Sequence, residues 1–528
     1  MTMQATLLRT PAPGLHTWEP PLSEFRRNVE AETERLLTQG GDTRIELNAV
    51  GANAYGCAPR PDPALVQLGS STGSVISEAG FQAAVALYKR GACSAGRYRF
   101  EIERQRRELA YLTGAVRLPG TQVVLAASGT DIHLFATLLA ARGERGALRA
   151  VMVQPEETGS GVPAALAALH FAAKTSQGCV VKRGVPVADT PLQPPIAVAL
   201  RHADGSLRSS TEVDAEFSEQ VAHFVQTDGR CLLVLTDLSK TGLLAPSLAC
   251  ARQLQQRFGE QLAVLVDACQ FRLSSSTLLN YLAQDFMVAI TGSKFVGGPA
   301  FSGALLLPPG VAQRSRGVPL DVLRNYSSRS DWPEGWPAAQ VLQDTINPGL
   351  LLRWEAALME LRRFNALPEQ KIFDFLHEWQ QAVSLRISQD ASLEAVPVAP
   401  LQRGTPSQVQ AWDGVQTIFP FLVRKPMGLD GRQVLTKGET ELLFRQMQQV
   451  DGFGKSLLQT PNAASMRFQL GQPVFCGWRD GMPVSALRMC CSARLVTQTL
   501  SAGQSVAQAI AQTMQAFDKV AMQVQRLV

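Results

Sequence analysis

Apolar and polar positions alternate along this chain with two different periods. Between about 75 and 115, ending in "EIERQRRELAYLTGA", apolar and charged residues recur with a period near 3.6, which predicts helix. The stretch 22–38, "LSEFRRNVEAETERLLT", predicts a shorter helix, and "NAVGANAYGCAPRPDP" (48–63) reads as irregular and extended. The middle of the chain then switches between short apolar runs and helical patterns. "TQVVLAAS" (121–128), "ALRAVMV" (147–153), "CLLVLTD" (231–237), "QLAVLVD" (261–267), "FMVAITG" and "SGALLLP" are the predicted strands. "DIHLFATLLAARG", "VPAALAALHFAA" and "SLACARQLQQRFG" are the helices between them. Apolar strands alternating with helices predict a mostly parallel sheet covered on both faces. "DTINPGLLLRWEAALMELRRFNAL" (344–367) starts on turn residues and runs into a long helix. Beyond it helices mix with amphipathic strands, and the chain ends on a helix near 503–526. The expected organisation is an N-terminal arm with helices (1–95), a large α/β domain (96–365) and a smaller C-terminal α+β domain (366–528).

Composition adds exclusions more than assignments. The 528 residues, 45% hydrophobic and 18% charged, supply a large core and exceed what one compact domain holds. A net charge of +5 spread over that length, with no dense block of Lys or Arg, argues against a nucleic-acid or membrane partner. Nine cysteines without a CxxC, and six histidines without ligand spacing, predict neither a disulfide framework nor a metal site. Together with the lack of a signal-like apolar segment, this leads to the expectation of a cytoplasmic protein. Only ten lysines stand against forty arginines, so each lysine carries more information than usual.

Three strand ends carry unusual residues, and ligands of open α/β sheets bind at the carboxyl ends of strands. Ser128, Gly129 and Thr130 lead straight into a helix whose free N–H groups favour an anion; a plain helix cap is the competing reading. Asp267 ends a fully apolar strand, where a carboxylate needs a partner, and Gln270 follows it; cap, metal ligand and catalytic base are equally open for it. Thr291, Ser293 and Lys294 follow the strand "MVAI", ahead of "VGGPAFSG". A desolvated lysine among small residues can attack a carbonyl.

The order Gly-Thr, then Asp-x-x-Gln, then Ser-Lys resembles pyridoxal 5′-phosphate (PLP) enzymes of fold type I, and most closely their class V branch of aminotransferases and cysteine desulfurases. The branch's "VDgaQ" reads "VDACQ" here, and its "S-x-H-K-x-x-GP-x-G-x-G" reads "TGSKFVGGPAFSG". The resemblance covers roughly 95–365. It implies a seven-stranded sheet sandwiched by helices, with PLP as the cofactor. Lys294 would hold the aldehyde as a Schiff base and Asp267 would keep the ring nitrogen protonated. Gln270 would donate to the phenolic oxygen, and Cys269 would lie against a ring face. Gly129, Thr130, Thr291 and Ser293 would hold the phosphate. Thr345, in "DTINPG", would act across the interface of a homodimer with shared active sites. An arginine in the C-terminal domain, Arg488 or Arg467, would bind the substrate carboxylate.

Departures from the pattern bear on the reaction. "PEETGSGVPAAL" (155–166) lacks the branch's ring-stacking histidine, leaving Thr158 or Ser160 for that place, and Ser293 replaces the histidine before the lysine. Lys294 is then the expected acid/base at the substrate α-carbon. His133 is expected to pack within its helix, and Lys240 to lie on the surface. Residues 455–465 contain no cysteine where a desulfurase needs its nucleophile. The expected function is amino-group transfer on an amino acid or a derivative of one. PLP-dependent β/γ-elimination or replacement is the alternative, and a catalytically silent PLP-fold binding protein the second alternative. The aromatic insertion "NYSSRSDWPEGWPAA" is expected to serve a larger substrate.

Overall fold

The computed structural model describes residues 22–142, 148–187, 192–227, 229–404, 411–427, 431–450 and 463–526. In chain order its strands are β1 (Leu65–Leu68), β2 (Gln122–Ala126), β3 (Leu148–Val153), β4 (Ile196–Val198), β5 (Arg230–Asp237), β6 (Leu244–Ala245) and β7 (Leu262–Ala268). They continue with β8 (Met287–Thr291), β9 (Gly303–Leu307), β10 (Leu393–Ala395), β11 (Ile418–Met427), β12 (Gly431–Val434), β13 (Arg467–Arg479) and β14 (Met482–Cys490).

The larger sheet runs in the order β2-β9-β8-β7-β5-β3-β4, with the short β6 paired onto β5. β4, β3, β5, β7 and β8 are parallel to one another, and β9 is antiparallel to both its neighbours. This is the mostly parallel, seven-stranded sheet the sequence predicts. Successive side chains of a strand point to opposite faces, so a strand covered on both sides must be apolar throughout. Val264, Val266 and Ala268 of β7 pack into one core with the helices Glu78–Lys89, Ala95–Leu112 and Pro348–Asn365. Leu265, between them, packs into the opposite core with the helix Gly129–Ala141.

The smaller sheet has the order β1-β13-β14-β11-β10, with β12 on β11, and its own core faces the helices Glu369–Gln389 and Val506–Val524. Its edge strand β1 comes from the N-terminal segment and pairs in parallel with β13, Leu65 opposite Arg467. A second tie lies at Arg353, wholly buried in the helix Pro348–Asn365. Its guanidinium donates to the carbonyls of Phe301 (2.7 Å), Leu37 (3.1 Å), Gln39 (2.5 Å) and Gly40 (3.0 Å).

Three expectations need correction. "VPAALAALHFAA" is helical only over Val162–Leu166, and the backbone turns away at Ala168, whose φ is +52°. β4 is a strand the pattern did not announce, because only three residues pair. The aromatic insertion packs rings inward where an open loop was expected: Trp332 and Trp336 are buried, and Trp332 stacks on Phe135 with ring centroids 6.0 Å apart. Among the described residues no helix is long and apolar enough to cross a membrane.

Candidate active site

β5, β7 and β8 end side by side, with Thr236 opposite Asp267 and Asp267 opposite Ala289 in register. A cavity of about 430 Å³ opens at these ends. Lys294 stands on its wall, three residues beyond β8. The glycines after β8 answer to packing. A Cβ at Gly292 or Gly298 would come within 2.5 or 2.7 Å of Ala357 Cβ, so only glycine lets this loop lie against the helix Pro348–Asn365. Thr291 Oγ1 donates to the Cys269 carbonyl (2.6 Å) and accepts from Ser293 Oγ (3.4 Å), which ties the lysine loop to the end of β7.

Asp267 is buried on the cavity floor. Its carboxylate accepts from Thr158 Oγ1 (3.3 Å) and the Cys269 amide (3.2 Å), and His133 Nε2 lies 3.3 Å away. The other ring nitrogen of His133 is 2.7 Å from the Gly129 carbonyl, which can only accept. Nδ1 must therefore carry a proton, and only the imidazolium also presents a proton to the carboxylate. Burial alone would lower the His133 pKa, but the charge and hydrogen bond of Asp267 raise it above its ordinary value. Burial opposes ionisation of Asp267 in turn. The charge and hydrogen bond of His133, with Lys294 nearby, outweigh burial and hold the carboxyl well below the usual range. The packing role expected of His133 is thus corrected: it is the carboxylate's partner.

The helix Gly129–Ala141 points its N-terminus at the cavity, capped by Ser128, whose Oγ accepts from the Asp131 amide. Gly129 lies against Cys269, whose Sγ a Cβ there would meet at 2.9 Å. Burial, then the charge of Asp267, pushes the Cys269 thiol well above its ordinary pKa. Arg44, from the N-terminal segment, donates to Thr130 Oγ1 (3.1 Å), pairs with Asp42 (2.6 Å) and lies over the Phe301 ring. Burial, then the charge of Asp42, pushes the Asp131 carboxyl up to about 7.

Gln270 lies on the wall, with Nε2 donating to the Ser71 carbonyl (3.1 Å) and Oε1 buried without a partner. Arg488, on β14, reaches the cavity from the smaller sheet. It is buried and donates to Thr72 Oγ1 (2.9 Å), the Gln472 carbonyl (2.6 Å) and the Lys240 carbonyl (3.2 Å). Among the described residues no carboxylate pairs with it directly. Lys240 also lines the cavity, which corrects the surface position expected for it.

The cavity thus gathers Lys294, Asp267, Cys269 and Gln270 with Gly129, Thr130, Thr291, Ser293 and Arg488. It leaves out two expected residues. Arg467 pairs with Asp62 (2.6 Å), and Thr345 donates to Gln177 (2.7 Å). Thr158 and Ser160 line it as well. Arg44, His133 and Lys240 were missed as site residues. Arg44 gave no signal, lying far upstream in sequence; for His133, four positions after Gly129, helix spacing was an available clue. Among the described residues no group of His, Cys, Asp and Glu is arranged to hold a metal ion.

No protein-family model and no curated protein matches the sequence. Solved structures do resemble it in three dimensions. Oryza sativa TDC with PLP and tryptamine aligns at 12% identity and TM-score 0.51, over 98% of this chain and 90% of that one. The same protein with PLP alone aligns at 11% identity and TM-score 0.51, with the same coverage. A NifS-like protein from Rickettsia africae aligns at 11% identity and TM-score 0.49, over 87% of this chain and 99% of that one. The fold of the chain is PLP fold type I.

Proposed function

We propose that this fold type I chain is a PLP-dependent enzyme that transfers the amino group of an amino acid or an amino-acid derivative. One observation carries the reading: an amine, a carboxylate beside a buried imidazole, and a helix N-terminus converge on one cavity. The residues fit the cofactor. Its phosphate suits the Ser128–Gly129–Thr130 turn, where no side chain at Gly129 blocks approach and Arg44 adds positive charge. Unpartnered oxygens of Gln270 and Thr236 at the same cavity mark polar space left for a ligand.

When bound, the cofactor supplies an electron sink for charge developing at the substrate α-carbon. Asp267 is the group to pair with the ring nitrogen, and His133 keeps it charged for that task. Thr130, Thr291, Ser293 and the Gly129 amide would hold the phosphate. Lys294 Nζ would hold the aldehyde, and it is the amine placed to take a proton from the substrate α-carbon and return one nearby. Arg488 receives the substrate carboxylate, its charge unmatched by a direct ion pair. Gln270 would have to turn its amide to donate to the phenolic oxygen, since its nitrogen is engaged by Ser71. One amine that both accepts and returns a proton meets the needs of amino transfer. A desulfurase mechanism lacks its nucleophile: Cys269 is the cavity's cysteine among the described residues, and its thiol is held neutral. The segment 455–465 has no cysteine in sequence, and its first eight residues lie outside the described ones. The reading includes a homodimer in which Thr345 serves the cavity of the second copy.

The test is the absorption spectrum of the purified protein with PLP, beside Lys294→Ala. A visible band that the substitution removes or shifts, and a borohydride adduct mapped to the Lys294 peptide, are expected. An oxo acid released with pyridoxamine 5′-phosphate left on the protein identifies transfer, whereas an oxo acid released with free ammonia identifies elimination. No band and no adduct would overturn the reading.

A further inference from the structure

Among the described residues, three cationic side chains on the cavity wall have no carboxylate bound to them, and the proposed reaction uses two. Lys294 takes the cofactor aldehyde and Arg488 the substrate α-carboxylate. Lys240 is left over.

Its place is fixed by its backbone. The Lys240 amide donates to the Glu157 carbonyl (2.8 Å), and its carbonyl accepts from Arg488 Nη1 (3.2 Å). The side chain is partly buried, lines the cavity, and has no hydrogen-bond or ion-pair partner among the described residues. The obvious carboxylate is already committed. Glu157 accepts from Ser239 Oγ (2.7 Å), the Thr241 amide (3.0 Å) and Thr241 Oγ1 (2.7 Å), and lies 3.7 Å from Arg201. Burial, then repulsion from Arg488 and Lys294, outweighs the attraction of Glu157 and Glu156 and brings the Lys240 pKa down to about 8. An ammonium placed in a cavity beside two other cations is unfavourable unless an anion completes the set.

We propose that Lys240 reads a second acidic group on the substrate, so that the preferred amino acid carries a carboxylate, phosphate or sulfonate on its side chain. The assignment rests on the functional reading above and deepens it. Arg488 donates to the Lys240 carbonyl, and both side chains line the same cavity. A compact diacid can span them, with its α-carboxylate on the guanidinium and its distal acid on the ammonium.

The experiment uses PLP-loaded protein, wild type beside Lys240→Met and Lys240→Arg. Affinities come from calorimetry and from the shift of the visible band, for glutamate against glutamine, aspartate against asparagine, and O-phosphoserine against serine. Wild type should favour an acid over its neutral counterpart by about tenfold, the effect of a charged hydrogen bond. Lys240→Met should bring that ratio close to one, Lys240→Arg should restore most of it, and the loss should fall in KM. The pair with the largest change tells a carboxylate from a phosphate. If Lys240→Met does not fold, Lys240→Gln makes the same comparison. A visible band with equal acid and neutral affinities in wild type, or with an acid preference that survives Lys240→Met, would sink this inference and leave the functional reading standing. Absence of the band would remove both.

Discussion

His133 shows how one side chain fixes the charge of another. Nδ1 faces the Gly129 carbonyl and Nε2 lies 3.3 Å from Asp267, so protonation of the ring and ionisation of Asp267 favour each other. The sign of the pH effect follows. His133 has a raised native pKa, so its stabilisation is complete below the unfolded value, near 6.5, and fades as pH climbs through the native one. Asp267 has a depressed native pKa, so its share is complete above about 4 and fades in acid. His133→Gln should therefore cost about 3 kcal/mol between pH 5 and 6. The difference from wild type should shrink in alkaline solution; urea titrations at both ends of the range check it. Asp267 and Lys294 were legible in the sequence because each breaks an apolar strand pattern at its end. His133 was misjudged because a helix buried on every side gives no sign of which face meets a ligand. Lys240 was misjudged because a lone lysine after a strand reads by default as solvated.

At the scale of elements, the cavity depends on close approach between β13 and β14, the strand that carries Arg488. Gly471 of β13 lies opposite Arg488 of β14. A Cβ there would stand 2.9 Å from Arg488 Cβ and Nε and from Ser71 Oγ. Gly471→Ala should displace the guanidinium and raise KM for the amino acid by about tenfold, while the PLP absorption band stays in place. Steady-state kinetics beside the spectrum test this, and an unchanged KM would remove Arg488 from the substrate site. The strands of the large sheet were legible because burial on both faces makes them continuously apolar. β4 was not, being three residues long after two prolines. The helix predicted over "VPAALAALHFAA" failed because apolar content cannot separate a helix from a chain folded back on the same core. Leu169 bridges to Pro186 there instead.

At the scale of the molecule, sequence pattern located the two kinds of sheet but not what joins them. β1 lies across from β13, and Arg44 lies across from Thr130, with long stretches of chain between. Such pairings leave no periodic trace. Arg353 is the firmest of these ties, because four carbonyls from two segments share one guanidinium that no carboxylate, among the described residues, neutralises. Arg353→Met would leave those carbonyls buried and unmatched, and should destabilise the protein by about 3 kcal/mol or more. Loss of cooperativity in the N-terminal segment, followed by amide hydrogen exchange, distinguishes this from a general loosening.

The same tie sets a timetable for biosynthesis. Leu37 meets its arginine 316 positions later in the chain, and Leu65 waits for Arg467. A ribosome releases the N-terminal segment first. That segment must then travel unpaired, its strand edge open to other chains, until most of the remaining protein has been made. Translation speed and chaperone supply should therefore bear on the yield of this protein, beside the stability of its finished fold.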